Sequence, residues 1–512
     1  VPWLALVLTL AAGLRLAHVL ALRDTPWFDH LVVDPGYYDQ WAQRLAAGDW
    51  LGERAFYMDP LYPYALAGLY RLFGRDLLLV RLVQVVLGVG SCWLVASIGT
   101  RVGGRRIGLV AALLFALYKP DIFHAAEIEK TSLSVFLAAA GLAAFLSSHR
   151  LLSGLAFGLA TLTRANLLFV APAGALVLAM ERPRRIIAPA LFLAGFALAL
   201  VPVTWRNHRV SGDFVLTTTQ GGQNFYMGNN RDNLSGSYGT LPFLRMNPAF
   251  EEEDFRAEAE RRTGRALDAR ATSRFWYGEA LRFIRDYRVT AASLFERKLA
   301  LVWNDYEISD NQDQYLLARD SWVMRLPLPG FGLVLVLAAV GVAATIARNA
   351  PVRILTAFAL LYATSVAAFF VFSRYRIQLV PALAPLAALG LQELRTSLEG
   401  RAVRPLVRDA VIVLAVAAFT FRTIPPFYRD HPQVNAMRLH KLADVYLLAH
   451  DPEHAVAVLV EALRQCPERC PSERDAFIDL MIDRGRGPEG VAFLRELANI
   501  HSHGGDTAPR DR

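Results

Sequence analysis

The sequence predicts an all-α polytopic membrane protein, and three observations predict it. Hydrophobic residues make up 54% of the 512 positions, charged residues only 20%, and the mean hydropathy is +0.30. A soluble chain of this length would form about three or four domains carrying roughly 25% charge. Apolar runs near the ~17–25 residues that a bilayer demands recur along most of the chain. Lastly, the net charge of +8 is unevenly placed. From Arg429 onward 11 Lys+Arg face 14 Asp+Glu, so the excess of base sits in the apolar part, where loops meet anionic headgroups and no nucleic acid is needed to explain it. Three cysteines exclude a disulfide framework.

Eleven runs read as spans: Pro2–Leu22, Leu77–Ile98, Ile107–Tyr118, Leu133–Leu146, Leu152–Leu162, Leu167–Met180, Ile186–Val203, Leu326–Ile346, Ile354–Phe372, Ile377–Leu391 and Ala410–Ile424. The first is too uniformly apolar for a cleaved signal and reads as a retained span. Leu152–Leu162 and Leu167–Met180 also read as one kinked element. Loops taken alternately place Arg101, Arg105, Arg106, Arg150, Arg182, Arg184, Arg185, Arg348, Arg353, Arg395, Arg401, Arg404 and Arg408 on one side. Basic loops are cytoplasmic. The long segments 23–62 and 206–325 and the C-terminal region are then external. The domain reading is a membrane domain over 1–424, a helical domain over 432–500 and a disordered tail over 501–512. In the helical domain, two amphipathic runs broken by HDPEH resemble a tetratricopeptide repeat; a plain helical tail packed on the membrane domain is the other reading. Cys466 and Cys470 are spaced to bridge if external.

Four clusters carry ionisable or aromatic groups at the external edge. In the first, Asp34 precedes a helical stretch with Tyr37 and Tyr38. A carboxylate there suits a general base, while Asp34-Pro35 is also the pattern of a helix N-cap. The second is MDPLYP around Asp59, which equally fits an interfacial aromatic belt. The third, YKPDIFHAAEIEK, packs Lys119, Asp121, His124, Glu127, Glu129 and Lys130 into 12 residues and holds two of the four lysines. Ionisable groups at that depth are expensive and mark function by default. In the fourth, Arg374, Tyr375 and Arg376 form a two-arginine hinge against the basic-inside trend, with no acid in Phe369–Val380 to pair them. A phosphate suits a guanidinium fork, as does a headgroup anchor. The segment GGQNFYMGNN, with Asn224 and Tyr226, suits a loop that stacks on a sugar. Glu251–Arg270 reads as a solvated amphipathic helix.

Together these residues resemble the GT-C glycosyltransferase superfamily, in its protein O-mannosyltransferase and aminoarabinose transferase branch. The resemblance covers Val1–Leu391 and rests on Asp34 with its Tyr-rich helix, MDPLYPYALAGLYRLFG, GLATLTRANLLFVAP, GGQNFYMGNN and SRYRIQLVPALAPLAALGL. It implies an inverting transfer from a polyprenyl-phosphate-linked sugar to an acceptor hydroxyl on a protein, lipid or glycan. Asp34 is then the expected base and Glu129 the second acidic position, with Glu127 close by. Tyr37, Tyr38, Asp59, Lys119, Lys130, Asn224, Tyr226, Arg374, Tyr375 and Arg376 would bind substrate. A divalent cation is left open, Asp34 and Glu129 being the residues to hold one, and the helical tail is the place for a protein partner. Asp59-Pro60-Leu61 departs from the family's pattern, which leaves substrate and metal dependence open. The rival class is a transporter or flippase of a lipid-linked glycan, against which stands the lack of an internal repeat between the halves.

Overall fold

The computed structural model describes residues 2–180, 186–239, 241–245, 247–400, 403–429, 431–466 and 470–494. Among them the chain is helical throughout, with one isolated bridge between Ile424 and Phe427 and no strand. Each of the eleven apolar runs contains a helix: Pro2–Ala21, Leu77–Gly103, Arg105–Ala116, Thr131–Leu146, Arg150–Thr161, Val170–Ala179, Ile187–Ser211, Phe331–Thr345, Ala350–Ala368, Val380–Glu399 and Val403–Thr420. Among the described residues five stretches are long and apolar enough to cross a membrane, namely Pro2–Ala21, Leu77–Gly103, Ile187–Ser211, Ala350–Ala368 and Ser373–Glu399. The protein is a multi-pass membrane protein, and the remaining runs are shorter helices packed among these.

Several boundaries differ from the sequence expectation for identifiable reasons. The run at 326 becomes helical only at Phe331, because Pro327 and Pro329 remove backbone donors and fix φ. The runs at 152 and 167 are two helices, separated by a turn at Leu162-Thr163, the extended Arg164 and a 3-10 stretch, Ala165–Phe169. The run expected to end at Phe372 stops at Ala368, and Phe370–Phe372 has no regular structure before the short Ser373–Arg376 helix. That break aims the S-R-Y-R residues into the protein.

Helices approach closely where glycines face backbone. Gly154 lies against the Phe192 carbonyl while Gly195, on the partner helix, lies against that of Leu151. Gly341 and Gly390 repeat the arrangement between the 331–345 and 380–399 helices. Such small-residue crossings replace the hydrophobic drive that helices lack inside a bilayer. Buried charge in the first span is paired: Arg15 donates to Asp121 through Nε at 3.1 Å and Nη2 at 2.5 Å. Asp121 therefore belongs to the helix packing.

In the long segment 206–325, Trp276 of helix Ala269–Asp286 is buried against Phe255 of helix Pro248–Thr263, Phe243 and Tyr226 at ring distances of 4.5–5.4 Å. The C-terminal helices Pro432–Leu448, Pro452–Gln465 and Pro471–Asp483 stack in sequence order, with Cys466 and Cys470 joined by a disulfide. Leu439, Leu442 and Val445 share a buried cluster with Leu316, Leu317, Val323 and Met324. The tail thus covers the 306–325 stretch of the long segment. The expected last helix is followed to residue 494, and the stretch read as a disordered tail lies outside the described residues.

Candidate active site

The focus of the site is Arg374. Its Nη1 donates to Asp34 Oδ2 at 2.7 Å and to Glu129 Oε1 at 3.3 Å, and its Nη2 meets Asp310 Oδ2. Asp34, Glu129 and Arg374 lie at or beside the starts of helices, and Asp310 lies in the loop between helices 288–302 and 314–317. Asp34 sits in the first turn of Val33–Ala46, whose N-cap is Val32 and carries no side-chain cap, so the Asp34 carboxylate is free to face Arg374. Val33 is held at φ +56°, a left-handed backbone that a β-branched residue rarely adopts. Strain of this kind concentrates where the surroundings impose a geometry.

Glu129 lies two residues before the first turn of Thr131–Leu146, whose N-cap is Lys130. Its Oε2 accepts from the Thr131 backbone N–H at 2.9 Å and from the Thr131 hydroxyl, so the start of that helix fixes the carboxylate. Burial opposes its ionisation, but Arg374, Arg164 and Lys130 outweigh burial and hold it at about 2. Lys130 turns the other way, with Nζ 2.6 Å from Asp59 Oδ2 and 5.6 Å from the Tyr38 ring. Tyr38 is fully buried and its hydroxyl has no partner. Tyr37 packs edge-on against Tyr38 and Trp41.

The other expected residues are placed elsewhere. Glu127 pairs with His124 at 2.8 Å. Lys119 donates to the Met324 carbonyl at 3.2 Å, so it tethers the 322–325 turn and leaves the cluster to Lys130. Arg376, expected to share a phosphate with Arg374, is a structural clamp. It pairs with Glu307 at 2.8 Å and donates to the carbonyls of Asn304, Tyr306 at 2.9 Å and Asp305 at 3.3 Å. The acids missing from Phe369–Val380 thus come from distant segments, Glu307 for one arginine and three carboxylates for the other. Tyr375 lies under two cations, Arg164 at 4.8 Å and Arg374 at 5.3 Å. Tyr226 turns into the Trp276 aromatic core, and Asn224 shares its helix, Gly221–Gly228. The structure does not group them with the carboxylates.

Three residues join the site without having been singled out. Arg164 lies 3.8 Å from Glu129 and donates to the Thr131 hydroxyl at 3.0 Å; a lone arginine between two apolar runs was a usable signal. Asp310 gave none, being one of several acids in a polar loop. Glu251, in the helix read as merely solvated, accepts from the Tyr57 hydroxyl at 3.1 Å. Burial first, then the charge of Asp34, push Glu251 up to about 7; burial pushes Asp310 up to about 6, Arg374 pulling against it and Asp34 adding to it. One carboxylate held low beside two held high is the separation acid–base chemistry uses. Among the described residues no group of three His, Cys, Asp or Glu is arranged to hold a metal ion. Asp34 and Glu129, which would hold one, both lie on Arg374.

Residues 58–205 match the family model of dolichyl-phosphate-mannose-protein mannosyltransferases. Over this segment, less than a third of the chain, the match agrees with the resemblance drawn from the sequence. The matched segment includes Asp59, Lys119, Glu127, Glu129, Lys130 and Arg164, and leaves Asp34 and Arg374 outside. No curated protein matches the chain significantly. Among solved structures, ArnT from Cupriavidus metallidurans bound to undecaprenyl phosphate is similar at 16% identity and a TM-score of 0.45, over 95% of this chain and 74% of that one. The Archaeoglobus fulgidus oligosaccharyltransferase in its apo form is similar at 14% identity and 0.45, over 87% of this chain and 60% of that one.

Proposed function

We propose that the chain transfers a sugar from a polyprenyl-phosphate-linked donor to an acceptor hydroxyl at the external face of a bacterial inner membrane. One observation carries this reading: Asp34, Glu129 and Arg374, from three remote segments, meet at one buried edge of the bundle. A base beside a guanidinium is what displacement of a lipid phosphate requires.

In the reaction, the acceptor oxygen attacks the anomeric carbon as the bond from that carbon to the phosphate oxygen breaks, inverting the centre. The acceptor proton passes to Asp34. The electron pair of the broken bond stays on the phosphate, where Arg374 offsets the developing charge; Lys130, paired with Asp59, supports it from further off. Glu129 is held ionised by three cations and orients Arg374. Tyr375 and Arg164 wall the site, and holding base and phosphate together supplies the orientation term. Arg376 takes no part in binding the phosphate.

The test compares intact masses of lipid and protein glycans in cells carrying the wild-type chain, Asp34→Asn, or no chain. Asp34→Asn should reproduce the null profile while accumulating in the membrane. A wild-type profile would sink the assignment. Reporter fusions at Asn230 and after the tail should both report the external side.

A further inference from the structure

The loop Asn304–Asp313 touches the site on one face and the C-terminal helices on the other. On the site face Asp310 occupies Nη2 of Arg374. On the outer face, Lys441 Nζ donates to the Asp310 carbonyl, and Arg438 reaches Asp313 Oδ2 at 2.6 Å and the Tyr306 hydroxyl. The Arg438 guanidinium also lies 5.2 Å from the Tyr315 ring, which stacks on Tyr306. Thus two side chains of one tail helix grip both ends of the stretch that carries Asp310.

This closed arrangement has a cost. Asn311 is 1% exposed, yet neither its amide nitrogen nor its oxygen has a hydrogen-bond partner. A buried amide left unpaired is unfavourable. Three carboxylates also crowd one guanidinium, and like charges in one site oppose each other's ionisation. Asp34 and Glu129 are fixed by the helices they adjoin. Asp310 alone rides on a loop, so it is the carboxylate that can leave.

We propose that Asn304–Asp313 is a latch: Asp310 fills the anion seat of Arg374, and Lys441 and Arg438 are positioning residues that hold it there. The inference rests on the proposed function for what displaces Asp310, namely the phosphate of the lipid donor. Opening the latch frees Nη2 for a phosphate oxygen, and the tail sets how often that happens. If the latch is shut in nine molecules of ten, apparent affinity for the anion is reduced about tenfold.

The experiment uses the full chain in lipid nanodiscs, with undecaprenyl phosphate as the probe and hydrogen exchange of 304–313 as a second readout. Lys441→Met should speed exchange in that stretch and tighten binding by up to about tenfold, and Lys441→Arg should restore both values. Asp310→Asn should also tighten binding. A tail that merely stabilises the fold would weaken binding or leave it unchanged, so tightening distinguishes the two roles. Unchanged exchange in Lys441→Met, or binding by Asp310→Asn no tighter than wild type, overturns the latch. If no form binds the probe while Lys441→Met still loosens 304–313, the donor reading fails and the tail's hold on the loop stands.

Discussion

Arg374 and Arg376 stand two residues apart in one short helix and are both buried, but they do opposite work. Arg376 is spent on carbonyls and on Glu307, all from the stretch that follows helix 288–302. Its partners are neighbours in sequence, and the result is a fastened loop. Arg374 is shared by Asp34, Glu129 and Asp310, which are remote from it and from each other. A guanidinium with carbonyl partners is satisfied in place; one among competing carboxylates can exchange a partner for a ligand. The lesson is that burial and charge do not identify a functional arginine, whereas the chemistry of its partners does.

The sharpest way to break this contrast is to remove the base. Asp34→Asn should cost transfer on the order of 10²-fold or more with normal accumulation, since Asp34 caps no helix. Arg374→Lys should follow in the same assay, because a point charge replaces a fork.

Arg376→Ala should instead lower accumulation and melting temperature, leaving Glu307 buried without its cation, at about 3–5 kcal/mol. Transfer per folded molecule should stay near wild type. A large loss of turnover in a well-folded Arg376→Lys would erase the distinction. Packing alone is probed by Gly154→Ala, whose added methyl meets the Phe192 carbonyl. It should lower stability by about 1–3 kcal/mol, read as melting temperature in detergent.

The smallest effect concerns Glu251, which faces Tyr57, Asp34, Asp310 and Arg374 and sits at about 7 against an ordinary 4.5. The folded chain holds its proton more tightly than the unfolded chain does. The stability that proton contributes is complete below about pH 4.5 and is lost as pH rises through 7. Glu251→Gln should flatten that decline, so melting temperatures of the two forms should agree at pH 4 and separate by pH 8. Parallel curves would show that Glu251 does not titrate in this window.

The span pattern was legible because hydrophobicity is a local property: every apolar run contains a helix. Boundaries failed where prolines at 327 and 329, or the Phe369–Phe372 break, overrode it. Asp34, Glu129 and Arg374 could be nominated one by one because ionisable groups stand out at a membrane edge. Their meeting could not be read, since it depends on how remote helices cross. The same limit hid the partners of Arg376, and Asp310 was indistinguishable from Asp305 or Asp313 until the loop was seen folded. Lys119 and Tyr226, conspicuous in the sequence, fold against Met324 and Trp276 and away from the Arg374 cluster, which their local sequence does not reveal.

A ribosome makes this chain from its N-terminus, so the membrane helices and every residue of the Arg374 cluster emerge before Lys441 and Arg438 do. Assembly of the site and its fastening are therefore separate events in the life of each molecule, with the fastening last. Until those two residues are made, Arg376 can hold the 304–307 end of the loop, but Asp310 and Asp313 lack their tail contacts. Time, as well as geometry, separates the building of this site from its control.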